Sequence, residues 1–132
     1  MDDTQLKLSS QVCFPLYSAS RLLTKAYKPY LDEMGITYPQ YLVLIVLWEN
    51  DELSVNQITE KLLLNTNTLS PLLKRMEKME LLQRNRSTTD ERSVIVQLTQ
   101  KGKNLKDQAK PIPEKLIKIL LTENIKISDV LQ

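Results

Sequence analysis

The sequence predicts a mostly α-helical fold carrying one small β-hairpin. Three observations predict it. Apolar residues recur at helical spacing over most of the 132 residues. Two capping boxes mark helix starts. A single pair of short apolar runs, the second rich in β-branched residues, flanks a polar loop.

The elements follow in chain order. Val12, Leu16, Leu22, Leu23, Ala26, Tyr27 and Tyr30 have helical spacing and predict a first helix running to about Met34, with Gly35 as its stop. Pro15 lacks an N–H and belongs in a first turn, so the regular helix should begin near Cys13 or Phe14, or bend there. Thr37-Tyr38-Pro39-Gln40 has capping-box spacing, with Pro inside the first turn of the next helix. Leu42, Leu44, Ile45, Leu47 and Trp48 make that helix apolar nearly all round, so it should be buried, ending at Asn50-Asp51-Glu52. Ser54-Val55-Asn56-Gln57 is the second capping box and opens a short helix through Ile58, Leu62 and Leu63. Asn65-Thr66-Asn67-Thr68 is a polar break with good N-cap residues. A further helix turns Leu69, Leu72, Leu73, Met76 and Met79 inward, with Pro71 near its start. Leu81 to Arg86 and Ser93 to Leu98 read as strands around the loop Ser87 to Arg92. Thr99 begins a last helical stretch, which Pro111 and Pro113 should kink or interrupt. Leu116 to Leu121 is too apolar to face water, and a partner subunit is the expected cover. Ile125 to Gln132 has room for a turn or two of helix.

Composition narrows the function. One Cys excludes an intrachain disulfide, and the absence of His excludes His-based triads and most catalytic zinc sites. No cofactor or metal is expected. No apolar run approaches the length of a membrane span, and the acidic, polar start at Met1-Asp2-Asp3-Thr4 is not that of a signal peptide. A cytoplasmic protein without membrane association is expected. The charge is uneven. Residues 1–73 carry 5 Lys/Arg against 8 Asp/Glu, residues 74–103 carry 8 against 4, and residues 104–132 carry 5 against 4. The positive excess in the middle stretch suits a polyanion-binding face, although a solvated surface would give the same charge count.

The order of elements sharpens this. Two short helices around a brief polar turn have helix-turn-helix spacing. The second of them exposes Thr66, Asn67, Thr68, Ser70, Lys74 and Arg75 opposite its apolar face, the side-chain types that read base edges and hold phosphates. Alone, an amphipathic helix hairpin would show the same pattern. A basic hairpin follows directly, which is winged-helix order. Arg84, Arg86 and Arg92 lie on or beside it, where arginine enters a minor groove or holds phosphate. Asp90 is placed to pair with Arg92 or another arginine and hold the loop in shape; a surface ion pair of little energetic weight is the plainer reading. The expected organisation is a single domain over 1–132, with the DNA-binding part at about 54–99 and helical dimerisation parts at about 8–36 and 100–132.

Asp90-Glu91-Arg92-Ser93-Val94-Ile95-Val96-Gln97-Leu98-Thr99 resembles the wing signature of the MarR family of transcriptional regulators, and Leu69-Ser70-Pro71-Leu72-Leu73-Lys74-Arg75-Met76-Glu77 resembles its recognition helix. Gln11-Val12-Cys13-Phe14, Tyr17, Tyr27-Lys28-Pro29 and Ile36-Thr37-Tyr38-Pro39-Gln40-Tyr41 are similar to the organic-hydroperoxide-sensing, OhrR-type branch. The resemblance covers roughly Leu8 to Pro113. Asn65-Thr66-Asn67-Thr68 departs from the Asp-Ser-Gly-Thr run typical of that branch, and Pro15 is a second departure.

The resemblance implies a homodimeric repressor on a palindromic double-stranded operator, with Cys13 as peroxide sensor, held by Tyr17, Tyr27 and Tyr38 drawn from both subunits. Without the family, a free Cys is more often a small buried hydrophobe. Still, a thiolate is the nucleophile, the positive end of a helix favours an anion, and phenols donate hydrogen bonds to one. Phe14 and Leu16 suit an organic peroxide. With no second Cys, a sulfenic acid would next be capped by a small cellular thiol or over-oxidised. Organic hydroperoxide plus small thiol are therefore the expected inducers. The alternatives are a MarR-type repressor released by a non-covalent phenolic or apolar ligand, a thiol peroxidase, and a winged helix serving protein contact only. The missing His and second Cys count against the peroxidase, and the wing arginines count against the last. An enzyme is not expected.

Overall fold

The computed structural model describes residues 3–90 and 92–122. The expected helical turn at 125–132 and the loop residue Glu91 lie outside the described residues.

The helix starts follow from local chemistry. α1 runs Cys13–Met34, which puts Pro15 in its first turn, where no N–H bond is lost. Two 3-10 turns, Asp3–Leu6 and Leu8–Ser10, precede it. Gly35, at φ 72°, ends α1 in the left-handed conformation that glycine adopts without strain. α2 (Tyr38–Glu49) and α3 (Val55–Leu62) each open on the expected capping box. Thr37 N–H donates to Gln40 Oε1 at 3.0 Å, and Gln40 N–H to Thr37 Oγ1 at 3.4 Å. At α3, Ser54 N–H donates to Gln57 Oε1 at 2.8 Å and Gln57 N–H to Ser54 Oγ at 3.1 Å. α2 is buried along most of its length, as its composition requires: Tyr41, Val43, Leu44, Val46 and Leu47 all lie in the core.

Leu63 caps α3 at φ 56°, ψ 36°, and this single left-handed residue turns the chain toward the next helix. Its side chain is 91% exposed. α4 (Thr66–Lys78) starts within the polar break, where Asn65 is the N-cap: its Oδ1 accepts the Thr68 N–H at 2.8 Å. Pro71 consequently falls in the second turn and leaves the Asn67 carbonyl without a helical donor.

β2 (Leu82–Arg86) and β3 (Val94–Leu98) form the hairpin, in a register pairing Leu82 with Leu98 and Arg86 with Val94. A third strand, β1 (Leu53–Ser54), pairs with the other edge of β3, giving the sheet order β1-β3-β2. It has only two residues and no alternation of its own to read. The Asp51 carboxylate also reaches this sheet, accepting the Leu98 N–H at 2.9 Å. α5 (Gln100–Ala109) follows, N-capped by Thr99, whose Oγ1 accepts the Gly102 N–H at 3.1 Å. The helical stretch then breaks at Lys110 and Pro111, and α6 runs Ile112–Thr122. The break is the interruption expected of Pro111.

The chain forms two compact units. One comprises residues 1–30 with 111–132, the other residues 31–110. The core of the second draws on every layer: Val43, Leu44 and Leu47 of α2, Ile58 of α3, Leu69, Leu73 and Met76 of α4, and Leu81, Leu82 and Val96 are all less than 2% exposed. α5 packs within this unit through Gly102. A Cβ there would collide with the Leu81 carbonyl oxygen and crowd Leu98. The Gly102 carbonyl accepts the Trp48 indole N–H at 2.9 Å. In the first unit Ile112 and Leu116 are buried, whereas Val12, Leu16, Ile117 and Leu121 are exposed. Among the described residues no helix is long and apolar enough to cross a membrane.

Candidate nucleic-acid interface and candidate thiol site

The second unit contains the helix-turn-helix, α3 and α4, followed by the β2–β3 hairpin as a wing. Leu69, Leu72, Leu73 and Met76 hold one face of α4 in the core. The opposite face is fixed by the 3.6-residue period. Thr66, Asn67, Thr68, Lys74 and Arg75 are exposed and Ser70 is half-buried, as the sequence suggests. Asn67, Pro71, Lys74 and Lys78 form one exposed stripe at i, i+4, i+7 and i+11. Lys78 is absent from the expected set, and its sequence signal is the four-residue spacing from Lys74.

The wing loop is shaped by its own short side chains. Ser87 Oγ accepts the N–H groups of Thr89 and Asp90, at 3.2 Å and 3.3 Å. Asp90 Oδ1 accepts the Arg92 N–H at 3.0 Å, and Ser93 Oγ donates to Asp90 Oδ2 at 3.3 Å. Asp90 thus holds the Arg92 backbone. Arg92 is exposed, and among the described residues no carboxylate lies within ion-pair distance of its guanidinium. Arg86, at the outer end of β2, is exposed as well. These two arginines, with the exposed face of α4, give one unit a set of cations and amide or hydroxyl groups on its surface.

Arg84 is placed differently. In β2 it shares a face with the buried Leu82, as Arg86 does, but it is half-buried where Arg86 is exposed. Its Nη2 lies 3.3 Å from Glu77 Oε1, and its backbone N–H donates to Glu77 Oε2 at 2.9 Å. The guanidinium and this backbone N–H hold the Glu77 carboxyl below its ordinary value, the side-chain hydrogen bond contributing most. A cleft beside this pair is lined by Glu80, Gln83, Asn85 and Lys101 among others. Lys101 Nζ donates to the Met79 carbonyl at 3.0 Å, placing a cation at the C-terminal end of α4.

The candidate thiol lies in the first unit. Cys13 is the first residue of α1 and is exposed. Tyr17 follows one turn later and is 59% exposed, with the Arg21 guanidinium 5.7 Å above its ring. Val12, Phe14 and Leu16 surround the start of the helix with exposed apolar surface. Tyr27 is half-buried on the same helix, but the helical rise sets it about 21 Å along the axis from Cys13. One copy of α1 cannot bring the two together. Tyr38 opens α2 in the second unit, its ring 6.3 Å from that of Tyr41.

Known transcriptional regulators share this fold. The family model described as transcriptional regulator SarA/Rot matches residues 25–109. An organic hydroperoxide resistance transcriptional regulator of Bacillus subtilis (strain 168) is 53% identical over 108 residues, covering 82% of this chain and 74% of the relative. The chain belongs to the MarR family of transcriptional regulators. Its relatives are transcriptional regulators with a DNA-binding fold, not enzymes. Among solved structures, reduced AbfR bound to DNA is similar with a TM-score of 0.77 and 38% identity, covering 87% of this chain and 80% of that one. Disulfide-formed AbfR gives a TM-score of 0.69 at 35% identity, covering 92% and 95%.

Proposed function

We propose that the protein is a homodimeric DNA-binding repressor that senses organic hydroperoxides by oxidation of Cys13 and then releases its operator. The observation that carries the sensing step is the exposed Cys13 at the first position of α1, bordered by exposed apolar side chains. An exposed thiol meets an oxidant directly, and the apolar border favours the organic part of a hydroperoxide. The similarity to a hydroperoxide-resistance regulator, and to a regulator solved in reduced and disulfide forms, points the same way.

The DNA-binding step rests on Asn67, Lys74 and Arg75 of α4 with Arg86 and Arg92 of the wing. Thr66, Thr68 and Ser70 add hydroxyl groups at the N-terminal end of α4. The dimer rests on the exposed apolar residues of the first unit and on the family resemblance, which draws Tyr27 to Cys13 from the other subunit because about 21 Å of helix separates them within one copy. Two recognition helices about 34 Å apart then match successive major grooves of a palindromic site.

In the sensing step the Cys13 thiolate attacks the distal oxygen of the hydroperoxide. The O–O bond breaks, a sulfenic acid forms, and the alkoxide leaves as the alcohol after taking a proton. A small thiol then condenses with the sulfenic acid, giving a mixed disulfide and water. The chain holds no second Cys to resolve it. A bulky adduct at the start of α1 shifts the spacing of the recognition helices and ends repression.

Fluorescence anisotropy with the DNA upstream of the protein's own gene tests this. Wild type and Cys13→Ser are each measured before and after an organic hydroperoxide plus a small thiol. The expected result is that both bind and only wild type releases. Release by both, or by neither, removes Cys13 from the switch and leaves a non-covalent ligand as the inducer to be sought.

A further inference from the structure

We propose that Glu77 is a positioning residue for DNA recognition, which locks the wing to the recognition helix through Arg84. This rests on the DNA-binding reading above and adds a division of labour among the wing arginines.

The geometry separates Arg84 from Arg86 and Arg92. Glu77 stands at the C-terminal end of α4, one turn beyond the core residue Leu73. Its two carboxylate oxygens are both used on one residue of β2, Oε2 by the Arg84 N–H and Oε1 by the Arg84 guanidinium. A backbone donor and a side-chain donor of the same residue are thus held together, so Glu77 fixes the path of the strand and not only a flexible side chain. The Arg84 side chain is 28% exposed, and its Nε is shielded from solvent with no acceptor among the described residues. It is committed to this place at a desolvation cost. Arg86, two residues on, carries no such contact and is exposed.

The consequence is mechanical. α4 carries the groups for base edges, and the β2–β3 hairpin carries Arg86 and Arg92. A protein that places both on one duplex must keep the angle between them fixed. Glu77 with Arg84 ties the end of one to the stem of the other, between residues seven apart in sequence.

Electrostatics alone predicts the opposite sign for the key variant. Removing an anion from a DNA-binding surface, and freeing an arginine, should tighten binding to a polyanion. A lock predicts weaker binding.

The full chain is used, with a duplex selected by wild type from a random-sequence pool. Circular dichroism and a thermal melt first establish that each variant is folded at the assay temperature. Glu77→Ala is expected to bind about tenfold more weakly, and Glu77→Gln, which keeps an acceptor for the Arg84 N–H, about threefold. The slope of affinity against salt should not change in either, since no phosphate contact is lost. Arg84→Met should match Glu77→Ala, and the double variant should be no worse than either single one. Amide exchange at Arg84 should speed up in DNA-free Glu77→Ala, and in Glu77→Gln if the alanine variant is unfolded. Tighter or unchanged binding by folded Glu77→Ala overturns the proposal, as does a salt slope flattened by about one in Arg84→Met, which would make Arg84 a phosphate contact. If wild type enriches no duplex from the pool, the DNA-binding reading itself fails and the proposal falls with it.

Discussion

Gly102→Ala sets helix propensity against packing, and the two give opposite signs. Gly102 lies in the first turn of α5, and alanine at a helical position is worth up to about 1 kcal/mol over glycine. Propensity therefore predicts a more stable protein. The structure predicts the reverse. A Cβ at Gly102 meets the Leu81 carbonyl oxygen and comes within 3.1 Å of Leu98 Cδ2. Leu81 is 1% exposed and Leu98 is 6% exposed, so neither has room to withdraw. Overpacking of this kind costs about 1–3 kcal/mol. Moving the start of α5 away also breaks the bond from the Trp48 indole to the Gly102 carbonyl, a further loss of about 1 kcal/mol. The net expectation is a destabilisation of about 2 kcal/mol, or a Tm roughly 8 °C lower for a chain of this size. Trp48 is the single tryptophan, so its emission during urea unfolding reports this contact directly. A Gly102→Ala protein with an unchanged or higher midpoint would refute the packing argument.

Three further outcomes follow from the same geometry. The folded protein holds the Glu77 carboxyl below its ordinary value of 4.5, chiefly through the Arg84 side chain, so its contribution is complete above that value and is lost as pH falls through the depressed one; Glu80 and Lys101 line the same cleft and belong in the controls. The stability gap between wild type and Glu77→Gln should be open at about pH 6 and close in acid, and a gap that stays constant down to acid would contradict the assignment. Asn65→Ala removes the α4 N-cap and should cost about 1 kcal/mol in urea unfolding, against a few tenths for Asn65→Gly. Asp90→Ala should accelerate amide exchange at Arg92 while leaving the melting of the second unit within about 0.5 kcal/mol, because only loop bonds are lost.

What the sequence made legible was mainly local. Thr37 with Gln40, and Ser54 with Gln57, are separated by three residues, and nothing distant decides whether such a box closes. The burial of α2 was equally readable, since a helix apolar all round has nowhere else to go. β1 was not readable, because two residues become a strand only by pairing with Val96 and Ile95, more than forty positions away. The start of α4 is open to within a few residues in the sequence: Asn65, Thr66 and Thr68 are all acceptable caps, and only the bond from Thr68 N–H to Asn65 shows which one serves. The place of Arg84 had a signal in period two, since Leu82 and Arg84 must share a face of β2, but its partner on α4 depends on how helix and hairpin pack. Tyr27 carried a signal as well, in the length of helix that separates it from Cys13.

Leu63 has a practical consequence for following these events in solution. Its left-handed backbone makes the bend between α3 and α4, while its side chain, 91% exposed, contributes almost nothing to the core. A reporter group there would sit beside the N-terminal end of α4 without disturbing packing. In a Cys13→Ser background, Leu63→Cys leaves a single thiol for labelling, so a fluorophore at that bend would report the arrival of a duplex at the recognition helix in a protein that hydroperoxide can no longer switch at residue 13.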